Sequence, residues 1–119
     1  MTKKISLQPL LSASGETLER RVAVFALLNL GIIESLANGV LSATEARKIL
    51  FHAENCLFVR KHLREKVADE IMSHGVQLPD LFEVLPAEEA HLQFQRQLAI
   101  MRSLCLKLIE GKQMGALIV

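Results

Sequence analysis

Among the side chains able to do chemistry, His52 and Cys56 stand four apart, one helical turn, a spacing at which two residues can share a metal ion. Two ligands do not complete a site. His62, His74, His91 and Cys105 fall at no ligand spacing, and neither CxxC nor HExxH occurs. The ordinary role for such a pair is a half-buried histidine beside a cysteine that packs as a small hydrophobe, so no metal and no other cofactor is expected. Glu34 is the oddest charge, flanked by apolar residues in GIIESLANG. Buried, it would have a raised pKa; more often such an acid pairs with Arg or Lys, or points outward at a helix end. No second carboxylate or histidine is placed to work with it. There is no glycine-rich phosphate loop and no nucleophile elbow, and the chain has no Tyr or Trp. No catalytic residue is expected, and the chain is not read as an enzyme.

Cations cluster at Arg60, Lys61, Arg64 and Lys66, with Arg47 and Lys48 upstream. Glu54, Glu65, Asp69 and Glu70 interleave with them, which reads as a solvated helix face with i to i+4 pairing. Residues 32 to 51 also have the outline of a helix, a glycine turn and a second helix, as in a DNA-binding helix-turn-helix. On that reading Arg47, Lys48, Arg60, Lys61 and Arg64 would contact nucleic acid. Against it, Glu45 occupies the position six after Gly39 where an aliphatic residue should be buried, and Phe51 lies on the would-be recognition helix.

The elements that must position these residues are helices. Val22 to Leu41, VAVFALLNLGIIESLANGVL, is the most apolar run. Leu18, Val22, Phe25, Ile32, Ile33 and Leu36 recur at helical spacing, while Val24, Leu27, Leu28 and Gly31 make the opposite face apolar at its middle. A helix apolar all round is a buried one. Gly31, Ser35 and Gly39 line one side with small residues; Gly31 must either pack closely or break the helix, and Asn38-Gly39 suits a left-handed cap. Asn29, Glu34, Ser35 and Asn38 argue against a membrane span. Before this helix, Ile5, Leu7, Leu10 and Leu11 around Pro9 read as an extended N-terminal arm over residues 1–13, and Ser14, Gly15 and Thr17 compete to cap the helix.

Ser42-Ala43-Thr44-Glu45 is a capping box. From it one helix is expected from Ala43 to about Ser73, hinged if anywhere near Glu54-Asn55 and stopped by Gly75. Leu78-Pro79-Asp80 should then start a short helical turn whose Leu81, Phe82, Val84 and Leu85 plug one end of the core. The last helix starts at Pro86 and carries a seam of Ala87, His91, Phe94, Leu98, Met101, Cys105 and Leu108 at alternating spacings of four and three, ended by Gly111. Residues 112–119 form an apolar tail.

At 119 residues the chain is read as one helical domain, residues 1–119, large enough for its own core. Half of it is hydrophobic but only five residues are aromatic, so that core is aliphatic. The net charge of +1 supplies no field to draw in nucleic acid or an anionic membrane. Two cysteines make no disulfide framework and fit a reducing compartment. No secretory signal is convincing, because the apolar stretch after Lys3-Lys4 is short and broken by Gln8-Pro9; the cytoplasm is the expected location.

The run Gly31 to Phe51, GIIESLANGVLSATEARKILF, resembles a stretch found in small bacterial helical proteins of unknown function. The likeness rests on a helix, an Asn-Gly turn, a Ser-led cap and a helix ending in Leu-Phe, and it implies no activity and no functional residue.

The expectation is an all-α fold, a compact bundle of four to five helices around a buried central helix. Its apolar surface exceeds what a chain of this size can cover. The favoured function is therefore a non-enzymatic protein–protein interaction module, a homodimer with Val24, Leu27, Leu28, Phe51, Phe58, Leu117, Ile118 and Val119 at its interface. Another protein is the further candidate partner. The alternatives are a DNA-binding regulator with a degenerate helix-turn-helix, and a small-molecule sensor with an apolar pocket.

Overall fold

The computed structural model describes residues 3–15 and 17–110. Within them lie six α-helices, one π-helical turn and no strand. The fold is all-α, as expected, with one helix more than the five allowed for.

That additional helix is α1, Leu7–Ala13, where the sequence suggested an extended arm. Pro9 does not break it, because a proline in the first turn gives up an N–H that has no intrahelical partner anyway. Leu7 and Leu11, one turn apart, are fully buried. Ser6 gives no side-chain cap. Instead the first amide is taken by a distant residue, Leu7 N donating to Asn55 Oδ1 at 3.0 Å.

Helix α2, Leu18–Ala37, is capped by Thr17, whose hydroxyl accepts from Arg20 N at 3.2 Å. Its other end closes as a left-handed glycine stop. Gly39 has φ +74°, Val40 N donates to Ser35 O at 2.8 Å, and Gly39 N donates to Leu36 O at 3.3 Å. This is the paired hydrogen-bond pattern of a Schellman end. Helix α3, Ala43–Ile49, starts with the full capping box: Ser42 Oγ accepts from Glu45 N, and Glu45 Oε1 accepts from Ser42 N, both at 3.0 Å.

The single helix expected from Ala43 to Ser73 is three pieces. After α3 the chain bends through Leu50–His52, then forms α4, Ala53–Phe58, which runs into a π-helical turn, Val59–Leu63. Arg64, at φ +48°, reverses the chain in a left-handed conformation, and α5 runs over Lys66–Val84. The first break has a hydrogen-bonding cause. Ile49 O accepts from Ile5 N at 2.8 Å, and Leu50 O accepts from Asn55 Nδ2 at 2.8 Å. Carbonyls that would have carried the helix onward are taken by the N-terminal segment and by a side chain.

Gly75 does not stop a helix; it lies inside α5 and is buried. A Cβ there would fall on Cγ, Cδ1 and Cε1 of the Phe51 ring. Bending the chain at Leu50–His52 delivers Phe51, 1% exposed, onto the bare backbone of α5. Pro79 also lies inside α5 rather than opening a new turn. Its missing N–H frees the Gly75 carbonyl of an intrahelical partner, at the residue where Phe51 already interrupts the packing. The expected plug is only partial: Leu81 and Leu85 are half-buried, but Phe82 is 48% and Val84 77% exposed.

Helix α6, Ala87–Glu110, buries Ala90, Phe94, Leu98, Met101, Cys105 and Leu108. The seam is as read from Phe94 onward, but it begins at Ala90, with Ala87 and His91 exposed. The expected stop at Gly111 and the apolar tail lie outside the described residues. Helices α5 and α6 pack along each other, and α6 packs along α2. The core between them is filled by Phe25, Ile33, Ile71, Met72, Leu98 and Met101.

Two outcomes follow. Gly75→Ala gains helix propensity of about 1 kcal/mol but must displace a buried ring, and overpacking costs about 1–3 kcal/mol. Net destabilisation is expected in denaturant titration. Combining it with Phe51→Leu should recover part of the loss, and strictly additive single and double mutants would refute the contact. Asn55→Ala strands the Leu7 amide and the Leu50 carbonyl and should cost about 2–4 kcal/mol. Hydrogen exchange at Leu7 should lose its protection along with that stability; a protected Leu7 amide in the variant would contradict this account.

Candidate functional site

The sequence-derived interface residues do not gather on one surface. Val24, Leu27 and Leu28 stay together on α2. Leu27 is 43% exposed and the other two are half-buried. Gly31, one turn on, is exposed, and a Cβ there would meet nothing within 4 Å. It neither packs closely nor breaks the helix. The central helix is thus not buried all round: one face feeds the core with Val22, Phe25, Ile32, Ile33 and Leu36, and a strip of the other is open. Phe51 is removed from the interface by its burial against Gly75. Phe58 is half-buried, its ring stacked at 5.3 Å on His62, beside a crevice bordered by Ser6, Gln8 and Lys61. Leu117, Ile118 and Val119 lie outside the described residues.

Glu34 is exposed rather than buried. Its Oε1 accepts from Arg102 Nη2 at 3.1 Å, and Oε2 accepts from Asn38 Nδ2 at 3.2 Å. The acid therefore ties the end of α2 to α6. Asn29 is the buried polar group of α2. Its Nδ2 donates to Phe25 O at 3.0 Å, and its Oδ1 has no partner among the described residues.

The five candidate nucleic-acid contacts do not share one helix. Arg47 and Lys48 end α3, with Arg47 at 4.0 Å from Asp80. Arg60 and Lys61 belong to the π-helical turn and Arg64 follows it. Arg60 lies 3.5 Å from Asp69, and Arg64 Nε donates to Lys61 O at 3.2 Å. The breaks at Leu50–His52 and at Arg64 divide what the sequence presented as one basic face.

His52 and Cys56 do not converge on a ligand. His52 Nε2 lies 3.0 Å from Ile5 O, and among the described residues no group of three metal-binding side chains occurs. Burial pushes the Cys56 thiol above its ordinary value, although Arg60 pulls it down. It drives Cys105 up to about 12. Both thiols are protonated around neutral pH, as suits cysteines that pack as apolar groups.

A concavity of about 510 Å³ opens where the end of α2 and the start of α3 meet α5 and α6. Leu36, Pro79, Phe82 and Phe94 supply apolar walls, and Glu45 and His91 stand among its polar edges. Phe82 and Phe94 meet edge to face at 5.2 Å. The capping box holds Glu45 below the usual carboxylate range, because Ser42 donates to its charged form. Reading Leu78-Pro79 as a new helix start hid this cavity; the continuous α5 carries Pro79 and Phe82 to its wall.

Among the described residues, no helix is long and apolar enough to cross a membrane. No curated protein and no solved structure matches the chain. Residues 14–116, which take in α2 to α6, match the family described as "Protein of unknown function (DUF3969)", and the chain belongs to that family.

Proposed function

We propose that this chain is a non-catalytic helical interaction module that works as a homodimer. One observation carries the proposal: the helix that supplies the centre of the core also leaves an aliphatic strip partly open, the exposed Leu27 with the half-buried Val24 and Leu28 beside a bare Gly31. Isolated exposed apolar side chains are ordinary. A contiguous strip on a helix already committed to the core calls for a second surface to cover it. The near-balanced charge, 14 basic against 13 acidic residues, favours a second copy over a strongly charged partner. A two-fold dimer uses the same patch twice, so one strip serves both subunits.

Light scattering on purified protein, in reductant and at two widely separated concentrations, tests this. A dimer has twice the 13.3 kDa chain mass, 2 × 13.3 = 26.6 kDa. A 13.3 kDa species at both concentrations would remove the homodimer.

The cavity between Leu36, Pro79, Phe82 and Phe94 supports a second reading, a sensor for a small, largely apolar molecule. Its volume of about 510 Å³ falls within the range of small-molecule sites, about 300–1,000 Å³. Native mass spectrometry of the freshly purified protein should then show a bound mass, lost when Phe82→Glu places a charge in the wall. Bare chain mass in both proteins would count against the sensor.

A further inference from the structure

We propose that a crevice beside the bend at Leu50–His52 binds a free fatty-acid anion, its hydrocarbon chain on an apolar floor and its carboxylate among lysines. This site is separate from the cavity at Phe82 and does not depend on the homodimer.

The crevice measures about 540 Å³, within the range of small-molecule sites, about 300–1,000 Å³. Its floor is Phe51 from the bend, Ala53 and Cys56 from α4, and Val76 from α5. The one uncharged polar side chain beside it, His52, is already engaged through Nε2, 3.0 Å from Ile5 O. A peptide laid on this floor would bring backbone amides and carbonyls with nothing to pair them. A hydrocarbon chain brings none.

Charge selects the head group. The other three lining residues are Lys4, Arg47 and Lys48, and among the described residues no acid lines the crevice. The whole chain has 14 basic against 13 acidic residues, so this is a local departure from its balance. Arg47 is shared with Asp80 at 4.0 Å. Glu45, the acid nearest Lys48 in sequence, is held charged chiefly by its Ser42 hydrogen bonds rather than by Lys48. Asp69 lies 3.5 Å from Arg60. Arg47 and Lys48 also suit the negative end of α3, but Lys4 belongs to no helix. The latch puts it there: Ile5 N donates to Ile49 O at 2.8 Å, and Ile5 O accepts from Asn55 Nδ2 at 2.8 Å. With residue 5 held at both its amide and its carbonyl, Lys4 stands over the end of α3. Lysine stems can lie along apolar surface while their ammonium groups stay in water, which is the arrangement an amphiphile with a carboxylate head requires. The cavity at Phe82 has no lysine or arginine in its lining, so the two sites differ in the head group they favour.

Cys56 in the floor is half-buried, and Cys105 is fully buried, so alkylation by iodoacetamide reports on the crevice at one and on unfolding at the other. The test follows both by peptide mass spectrometry, with laurate as probe. Laurate should slow alkylation of Cys56. Octanoate should protect at least about tenfold more weakly, having four fewer methylenes to bury. Dodecyltrimethylammonium, with a chain of the same length and the opposite charge, should not protect at the same concentration. Lys4→Glu should weaken laurate protection about threefold or more, and Phe82→Glu should leave it unchanged. No protection by laurate, equal protection by the cation, or an unaltered response in Lys4→Glu overturns the proposal. So does loss of protection in Phe82→Glu, which would place the ligand in the other cavity. Faster reaction at Cys56 or any at Cys105 would mean that laurate opens the fold instead of seating on it, and overturns it too.

Discussion

The carboxamide of Asn55 holds the N-terminal segment, the end of α3 and the start of α4 in one place. Its Oδ1 accepts from Leu7 N at 3.0 Å, and its Nδ2 donates to Ile5 O and Leu50 O, each at 2.8 Å. The side chain is 2% exposed, so each of these bonds replaces one that water would otherwise make. His52 completes the arrangement. Its Nε2 lies 3.0 Å from Ile5 O and 3.0 Å from Asn55 Nδ2. Its Nδ1 has no hydrogen-bond partner among the described residues.

The rest of the fold follows from that latch. With Ile49 and Leu50 carbonyls engaged sideways, α3 cannot continue, and the bend that results turns Phe51 toward α5. A ring of that size reaches the helix axis only where a glycine leaves room, which fixes Gly75 opposite it. Helix α5 then runs on through Pro79 to Val84, carrying Pro79 and Phe82 past the end of α2 and making the wall of the cavity. The bend held by Ile5 and Asn55, the burial of Phe51 against Gly75 and the run of α5 through Pro79 thus belong to one arrangement.

This explains which parts were legible in the sequence. The capping box at Ser42–Glu45, the glycine end of α2 and the seam of α6 from Phe94 to Leu108 depend on residues within a turn or two of each other, and they read correctly. The break after Ile49 depends on Ile5 and Asn55, and neither the 44 residues of separation from Ile5 nor the bonding of a side chain is visible in periodicity. The hydrophobic stripe from Ala46 through Leu57 is continuous across the break, so pattern alone favours one helix. Gly75 was misread for a related reason: a glycine looks the same in sequence whether it ends a helix or makes room for a ring. Of the candidate interface residues, Val24, Leu27 and Leu28 stay together on α2, with Leu27 exposed and the other two half-buried. Phe51 was lost to the core because its partner is a missing side chain, which no count of apolar residues can register.

The two interior glycines, Gly31 of α2 and Gly75 of α5, bear on how the surface of α2 is to be understood. Both carry the same backbone cost, and both could have been alanine as far as helix formation is concerned. Gly75 is accounted for entirely within the chain, by the Phe51 ring. Gly31 has no such account, since the space above it is open and the side chains flanking it are aliphatic rather than charged. Leu27 is the exposed aliphatic side chain beside it, while Val24 and Leu28 are half-buried against the core. The charged groups stand at the two ends of the strip, Arg20 and Glu34, where they leave the apolar centre unbroken. Helix α2 therefore feeds the core with one face and leaves Leu27 and Gly31 open on the other.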